Sequence, residues 1–270
     1  MKKASKYLLL MLIMCFSVSC FADPKVIHVV VALCDNKYQG IVPVPAAIGN
    51  GQDPKNNLYW GAAYGFKTFF SKQKEWQVVQ VNKPQEGKIL EEIIYKHKSK
   101  DVYIIAQAYD GKYIDNTIDD FINYSAGKKQ STFTLDNKKI IAGGGKANLV
   151  VYIGHNGLME WSWSKFFGYE TSWASNSKEE KEKQKSRYAA VFACKSQKYF
   201  SKPLLATGIS PLILTMQYMA PEAYSVHAMI DSWLNGESKA NVRSKVASAY
   251  SKYQNLKKPA MSMFTTEYSQ

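Results

Sequence analysis

The stretch Val26-Ile27-His28-Val29-Val30-Val31-Ala32-Leu33 is an almost unbroken apolar run rich in β-branched residues. It lacks the polar alternation of a half-solvated strand, so it reads as a strand buried on both faces, as in the middle of a parallel sheet. Runs of similar character recur along the chain at Trp76 to Val81, Val102 to Ala108, Leu149 to Ile153, Ala189 to Ala193 and Leu212 to Thr215. Between them the apolar spacing shifts towards the helical period. Leu58, Ala62, Phe66, Phe69 and Phe70 form one stripe, Ile89, Ile93 and Ile94 a second over 89–97, and Ile114, Ile118, Phe121 and Ile122 a third. Pro221 to Leu234 and Val242 to Tyr253 read as closing helices, and Asn56 or Asn57 as the cap of the helix starting near Leu58. Strand and helix in alternation predict an α/β fold, a three-layer αβα sandwich with a mostly parallel sheet of about six strands.

The remaining segments fit that frame. Lys128 to Gly145 contains a hairpin that turns through Gly143-Gly144-Gly145 into the strand at Leu149. Leu158 to Gln184 is long and irregular, aromatic at first (Trp161 to Trp173) and highly charged at its end. No repeat and no strong linker interrupts the chain, so residues 23–270 read as one domain.

The amino terminus has a different character. Lys2, Lys3 and Lys6 precede a nine-residue apolar run, Leu8 to Phe16, and Cys20-Phe21-Ala22 resembles a small-residue cleavage site before Asp23. Such a run is too short to span a bilayer, which takes about 20 residues. Residues 1–22 therefore read as a secretory signal peptide, placing the mature protein in a periplasm or outside the cell. The alternative is a lipoprotein signal ending at a lipidated Cys20, which would tether the protein to the outer membrane. Cleavage after Ala22 removes three lysines, lowering the formal charge from +13 to +10, and leaves Cys34 and Cys194 of the four cysteines.

Composition excludes several classes. Aromatics at 13% and hydrophobics at 46% do not fit a disordered chain, and two mature cysteines do not make a disulfide scaffold. The lysines are spread along the chain, and the densest run, Lys178 to Lys183, mixes both signs, as on a solvated helix face. With no nucleic-acid-binding motif visible, nucleic acid is not an expected partner. Gly143-Gly144-Gly145-Lys146 precedes a strand, so it is no phosphate loop. No metal-ligand spacing and no Gly-x-Ser-x-Gly elbow occurs, so neither metal nor cofactor is expected.

In open parallel sheets, sites form at the carboxyl ends of the strands. The first predicted strand ends in Cys34-Asp35-Asn36, the fourth in Gly154-His155-Asn156-Gly157, and the fifth in Ala193-Cys194-Lys195-Ser196. If the last two strands are neighbours, their ends lie about 5 Å apart, within side-chain reach for a Cys–His couple. A thiolate is the nucleophile, an imidazole takes and returns the proton, and backbone N–H groups stabilise the oxyanion. Taken singly, a buried Cys is usually a small core residue and a strand-edge His a structural one. Joint placement distinguishes this pair.

Strand–His–x–Gly, then about 40 residues, then strand–Ala–Cys resembles the caspase/legumain type of cysteine peptidase in His155, Gly157, Ala193 and Cys194. The resemblance spans Val26 to about Thr215 and implies a caspase-like sheet. Cys194 is then the nucleophile, His155 the acid/base, and Gly157 part of the oxyanion loop. Asp35 and Ser196 fall where the family contacts substrate, and an inward Asp35 would favour a basic side chain; Trp161 opens an aromatic cluster just after His155 that could wall a substrate cleft or equally cap the sheet edge. The sequence departs from the family where Asn156 separates His155 from Gly157, and where Lys195-Ser196-Gln197 replaces the usual glycine after the cysteine. The family's strand order puts the His155 strand between those of Cys34 and Cys194. The two sulfurs are then about 10 Å apart, beyond the roughly 7 Å reach of a disulfide, and Cys34 is a free buried thiol. His28, His97 and His227 read as structural. The resemblance implies a peptide or protein substrate. The other reading is a catalytically inactive caspase-like domain that binds a partner in the periplasm.

Overall fold

The computed structural model describes residues 23–160 and 176–269. Its main sheet has eight strands, not about six. In chain order the strands are β1 (Lys25–Ala32), β2 (Trp76–Asn82), β3 (Ile89–His97), β4 (Val102–Tyr109), β7 (Leu149–Ile153), β8 (Tyr188–Phe192), β9 (Ser210–Thr215) and β10 (Phe264–Thr265). Across the sheet they lie in the order β10-β9-β8-β7-β1-β4-β3-β2. The five strands β9, β8, β7, β1 and β4 are mutually parallel, while β3 and β10 run against their neighbours. The opening stretch is indeed the central strand. Every residue of β1 after Lys25 is buried, with β7 on one side and β4 on the other. A separate two-stranded hairpin, β5 (Gln130–Thr134) with β6 (Ile140–Gly144), covers part of the sheet, as expected for Lys128 to Gly145.

Each face of the sheet carries its own apolar cluster. On one face Val29, Val31, Val151 and Phe192 pack beneath α1 (Phe66–Phe70), α6 (Ala223–Leu234) and α7 (Lys239–Tyr253). On the other, Val30, Tyr152 and Val191 pack beneath α2 (Ile114–Ser125) and α5 (Ser196–Thr207) through Ile118, Phe121, Phe200 and Leu204. Among the described residues, two short helices complete the set: α3 (Gly157–Glu160) and α4 (Lys178–Gln184). The latter buries none of its residues, as its mixed charges suit, and opens on a Ser177–Glu180 capping box.

Three local expectations are overturned. Ile89–His97 is strand β3, not a helix. Its two glutamates look solvent-facing in sequence, but both are satisfied inside. Glu91 accepts from Trp60 Nε1 at 2.8 Å and Lys67 Nζ at 2.7 Å, and Glu92 from Asn82 and Gln107. The helix expected over Leu58–Phe70 shrinks to its last five residues. Gly61 and Gly65 press against backbone there and hold the preceding segment in tight turns. Asn57 does not cap a helix. It is fully buried, accepting from Cys34 N and Tyr59 N and donating to the carbonyls of Cys34 and Asn50. This clamp fastens the long loop after β1 to the strand it leaves.

His28 sits inside β1 as a structural residue. Its Nδ1 accepts from Gly144 N at 2.7 Å, so Nε2 carries the proton and donates to Gln107 Oε1 at 2.9 Å. The ring stacks on Tyr124 at 4.6 Å. Burial lowers its pKa from 6.5 to about 4, because the interior disfavours the imidazolium. The unfolded chain therefore binds this proton more readily. The stability tied to His28 is complete above pH 6.5 and lost as the pH falls towards 4, about 3 kcal/mol in all. Urea unfolding of the wild type should show this decline, and His28→Gln should flatten the pH 4–6.5 segment of the difference. An unchanged slope in that variant would rule out His28 as its source.

Candidate active site

Parallel pairing of β7 with β8 places Ile153 opposite Phe192. Beyond this register, Gly154 N donates to Phe192 O at 3.2 Å. His155 and Cys194 each follow two residues later, at equivalent height on adjacent strands about 5 Å apart. The peptide that leaves β7 is tied to the one that leaves β8. Asn156, fully buried, donates from Nδ2 to Cys194 O at 2.6 Å, and its Oδ1 accepts from Leu158 N at 3.1 Å. Tyr152 OH donates to His155 O at 2.7 Å. Sequence reading treats Asn156 as an interruption between His155 and Gly157. In the fold it is the tie between the histidine loop and the cysteine.

After Cys194 the chain turns sharply into α5. Lys195 adopts the left-handed conformation (φ 48°, ψ 36°), which costs a non-glycine residue of order 1 kcal/mol or more. Neighbouring strands hold the turn. Lys195 N donates to Gln217 O at 2.9 Å, and Ser196 N to Thr215 Oγ1 at 3.0 Å. Thr215 Oγ1 also donates to Ala193 O, and Ser196 Oγ bonds both Val191 O and Thr215 N. The Cys194 position is thus braced from β7 by Asn156 and from β9 by Thr215.

The Cys194 thiol itself faces Met219. Sγ donates to Met219 O at 3.5 Å and accepts from Met219 N at 3.4 Å. The Tyr59 and Tyr250 phenols lie close enough to interact electrostatically with it. Tyr59 also hydrogen-bonds Cys34, so its phenol stands between the two cysteines. Cys34 is buried whereas Cys194 is partly exposed. Burial pushes the Cys34 thiol up to about 11. Burial also lowers His155 from 6.5 to about 4, so its imidazole is neutral at pH 7.

The structure distributes the other expected site residues unevenly. Gly157 lies at the same mouth, but its N–H already donates to His155 O at 3.2 Å, and a side chain there would press on Ile118 and Ile114. Its smallness lets α3 pack on α2. Ser196 is fully buried in the brace behind Cys194 and offers substrate no hydroxyl. Asp35 is buried at the end of β1, and its oxygens accept from Lys37 N, Tyr38 N and Gln52 Nε2. It closes a turn and does not present a free carboxylate. Trp161 lies outside the described residues. Sequence reading missed Asn156, Thr215, Met219 and Tyr59. Only Asn156 carries a local signal, as a buried-type polar residue wedged into an otherwise familiar pattern.

No protein-family model, no curated protein and no solved structure matches this chain. What the site can do is therefore argued from its own geometry.

Replacing Asn156 with Asp sets a carboxylate against the Cys194 carbonyl in place of a donor. This should cost about 1–3 kcal/mol of stability and slow alkylation of Cys194 by iodoacetamide, while leaving the slow reaction of Cys34 unaltered. Urea melts and site-resolved mass spectrometry read both effects. A variant with wild-type labelling and stability would show that the tie is dispensable.

Proposed function

We propose that the protein is an exported cysteine peptidase of the caspase/legumain type, hydrolysing peptide bonds through Cys194 and His155. The reading is carried by one observation: His155 and Cys194 leave adjacent parallel strands at the same level and edge of the sheet. It is supported by the position of β7 between β1 and β8, and by the braced left-handed turn after Cys194. Export would be directed by residues 1–22, with lipidation of Cys20 as the alternative to cleavage after Ala22.

The chemistry follows from the residue types. His155, neutral at pH 7, takes the Cys194 proton as Sγ attacks the scissile carbonyl carbon. A tetrahedral oxyanion forms, which calls for a backbone N–H donor; those of Lys195, Ser196 and Gly157 are engaged within the fold, so the donor lies elsewhere at the mouth. The C–N bond breaks, the imidazolium gives its proton to the departing amine, and an acyl thioester remains on Sγ. Water, deprotonated by the same imidazole, hydrolyses the thioester to a carboxylic acid and restores the thiol. No oxidant, metal or cofactor is needed for this balance.

A second reading, a catalytically inactive binding domain, draws on the engaged N–H of Gly157 and the buried Ser196. A thiol-directed peptide probe separates the two. Labelling of the wild type should vanish in Cys194→Ala, fall about 10²–10⁴-fold in His155→Ala, and persist in Cys34→Ala. Labelling that ignores Cys194 leaves only the binding reading.

The pH profile of kcat/KM offers an independent check. The base is competent only as neutral imidazole, and burial holds His155 near 4. Activity should therefore persist well below pH 6.5, its acid limb falling near pH 4. A limb near the ordinary histidine value would contradict a desolvated His155 as the base.

A further inference from the structure

Lysines and tyrosines gather at the same sheet edge as His155 and Cys194. Lys37 and Tyr38 follow β1, Lys112 and Tyr113 follow β4, and Lys88 precedes the antiparallel β3, so all five stand at the carboxyl edge of the parallel strands. Each ring there is shared by two ammonium groups. Lys37 and Lys112 lie 4.9 and 5.6 Å from the Tyr38 centroid, and Lys112 and Lys88 each 5.6 Å from that of Tyr113. On the other side of Cys194, Lys195 lies over the 64%-exposed Tyr218 at 4.2 Å, and Lys198 over Tyr199 at 5.3 Å.

Some lysines elsewhere on the molecule are matched by carboxylates. At the opposite edge and along α4, Lys96, Lys129, Lys139, Lys183 and Lys185 all form ion pairs with carboxylates. Among the described residues, Lys37, Lys88, Lys112, Lys195 and Lys198 form none. Asp35 and Asp110 lie in the same loops, where Asp35 accepts from Lys37 N, Tyr38 N and Gln52 Nε2 and Asp110 Oδ1 from Lys112 N and Gln52 Nε2, and neither carboxylate forms an ion pair with these lysines. Like charges held around shared rings repel one another. An arriving anion relieves that repulsion and needs to displace no carboxylate. The rings add flat, partly apolar surface beside each charge, which suits an extended polypeptide better than a bare phosphate chain.

We infer that this edge is a docking rim for acidic polypeptide segments, lying on both sides of the Cys194–His155 mouth. As a statement about substrate class it rests on the peptidase reading, but its physical content is binding.

Full-length protein carrying Cys194→Ala allows binding to be read without turnover. The probes are a fluorescein-labelled peptide with Glu at alternate positions and its Gln counterpart, followed by anisotropy. The Glu peptide should bind more tightly and weaken as salt rises. The triple change Lys37→Gln, Lys88→Gln and Lys112→Gln should weaken it about tenfold, the sum of three exposed ion pairs, whereas the three Lys→Arg changes should preserve binding. Equal affinity for the two peptides, or indifference to the Gln changes, would overturn the inference. So would an oligonucleotide that binds through these lysines when the Glu peptide does not. Binding of the Glu peptide by a wild type that cleaves nothing would instead remove the peptidase reading and leave the rim standing.

Discussion

The constraint on which the molecule depends is the burial of β1 on both faces and along both edges. A strand with no polar face needs apolar helices above and below it and hydrogen-bonded strands on either side. The chain meets this by winding first to one side of β1 and then to the other. It leaves β1, builds β2, β3 and β4 on one flank, and then crosses to lay β7, β8 and β9 on the other. The direction of winding reverses between β1 and β7, so the loops leaving these two strands diverge. Such a reversal opens a crevice at the carboxyl edge of a parallel sheet. His155 emerges from β7 at its rim and Cys194 from the next strand. The location of the candidate site is thus a consequence of how a doubly buried strand acquires its neighbours.

Sequence made the inner part of this arrangement legible because its signals are strong and local. Largely apolar runs mark β1, β4, β7 and β8, and the apolar stripe Ile114, Ile118, Phe121 and Ile122 marks α2. The flanks were harder to read for a physical reason. In β3 the residues Ile89, Ile93 and Ile94 happen to match the helical period, and two adjacent glutamates favour helix by propensity. What overrides this is tertiary: Trp60, Lys67, Asn82 and Gln107 arrive from elsewhere to satisfy the carboxylates. No window of sequence contains that information. The added strands β3 and β10 account for the difference between a sheet of about six strands and one of eight.

The same division holds at the site. His155 and Cys194 could be proposed from sequence because each terminates a recognisable strand. The residues that fix their relation could not. Thr215 reaches Ala193 O and Ser196 from β9, and Tyr59 comes from a loop folded back on Cys34 by the Asn57 clamp. Ser196 illustrates the reverse error. Its place after Cys194 suggests a surface residue near substrate, yet the left-handed turn at Lys195 swings it inward, where its hydroxyl braces the turn. Distance along the chain from a nucleophile is a poor guide to exposure where the backbone reverses within one residue.

Desolvation gives the two cysteines and the histidine their distinct characters. Removing water penalises whichever form is charged. For Cys34 the charged form is the thiolate, so burial raises its pKa and makes the thiol a poor nucleophile at neutral pH. For His155 the charged form is the imidazolium, so burial keeps the ring neutral and able to accept a proton. One physical effect thus silences the deeper thiol and keeps the neighbouring base open. Cys194, at the partly exposed end of β8, is the thiol that a ligand can approach. A base held so far below its ordinary pKa is intrinsically weak, and it can hold a proton only while a negative charge stands nearby. In the proposed reaction that charge would come from the thiolate or oxyanion, so the imidazolium would be held only while one of them is present.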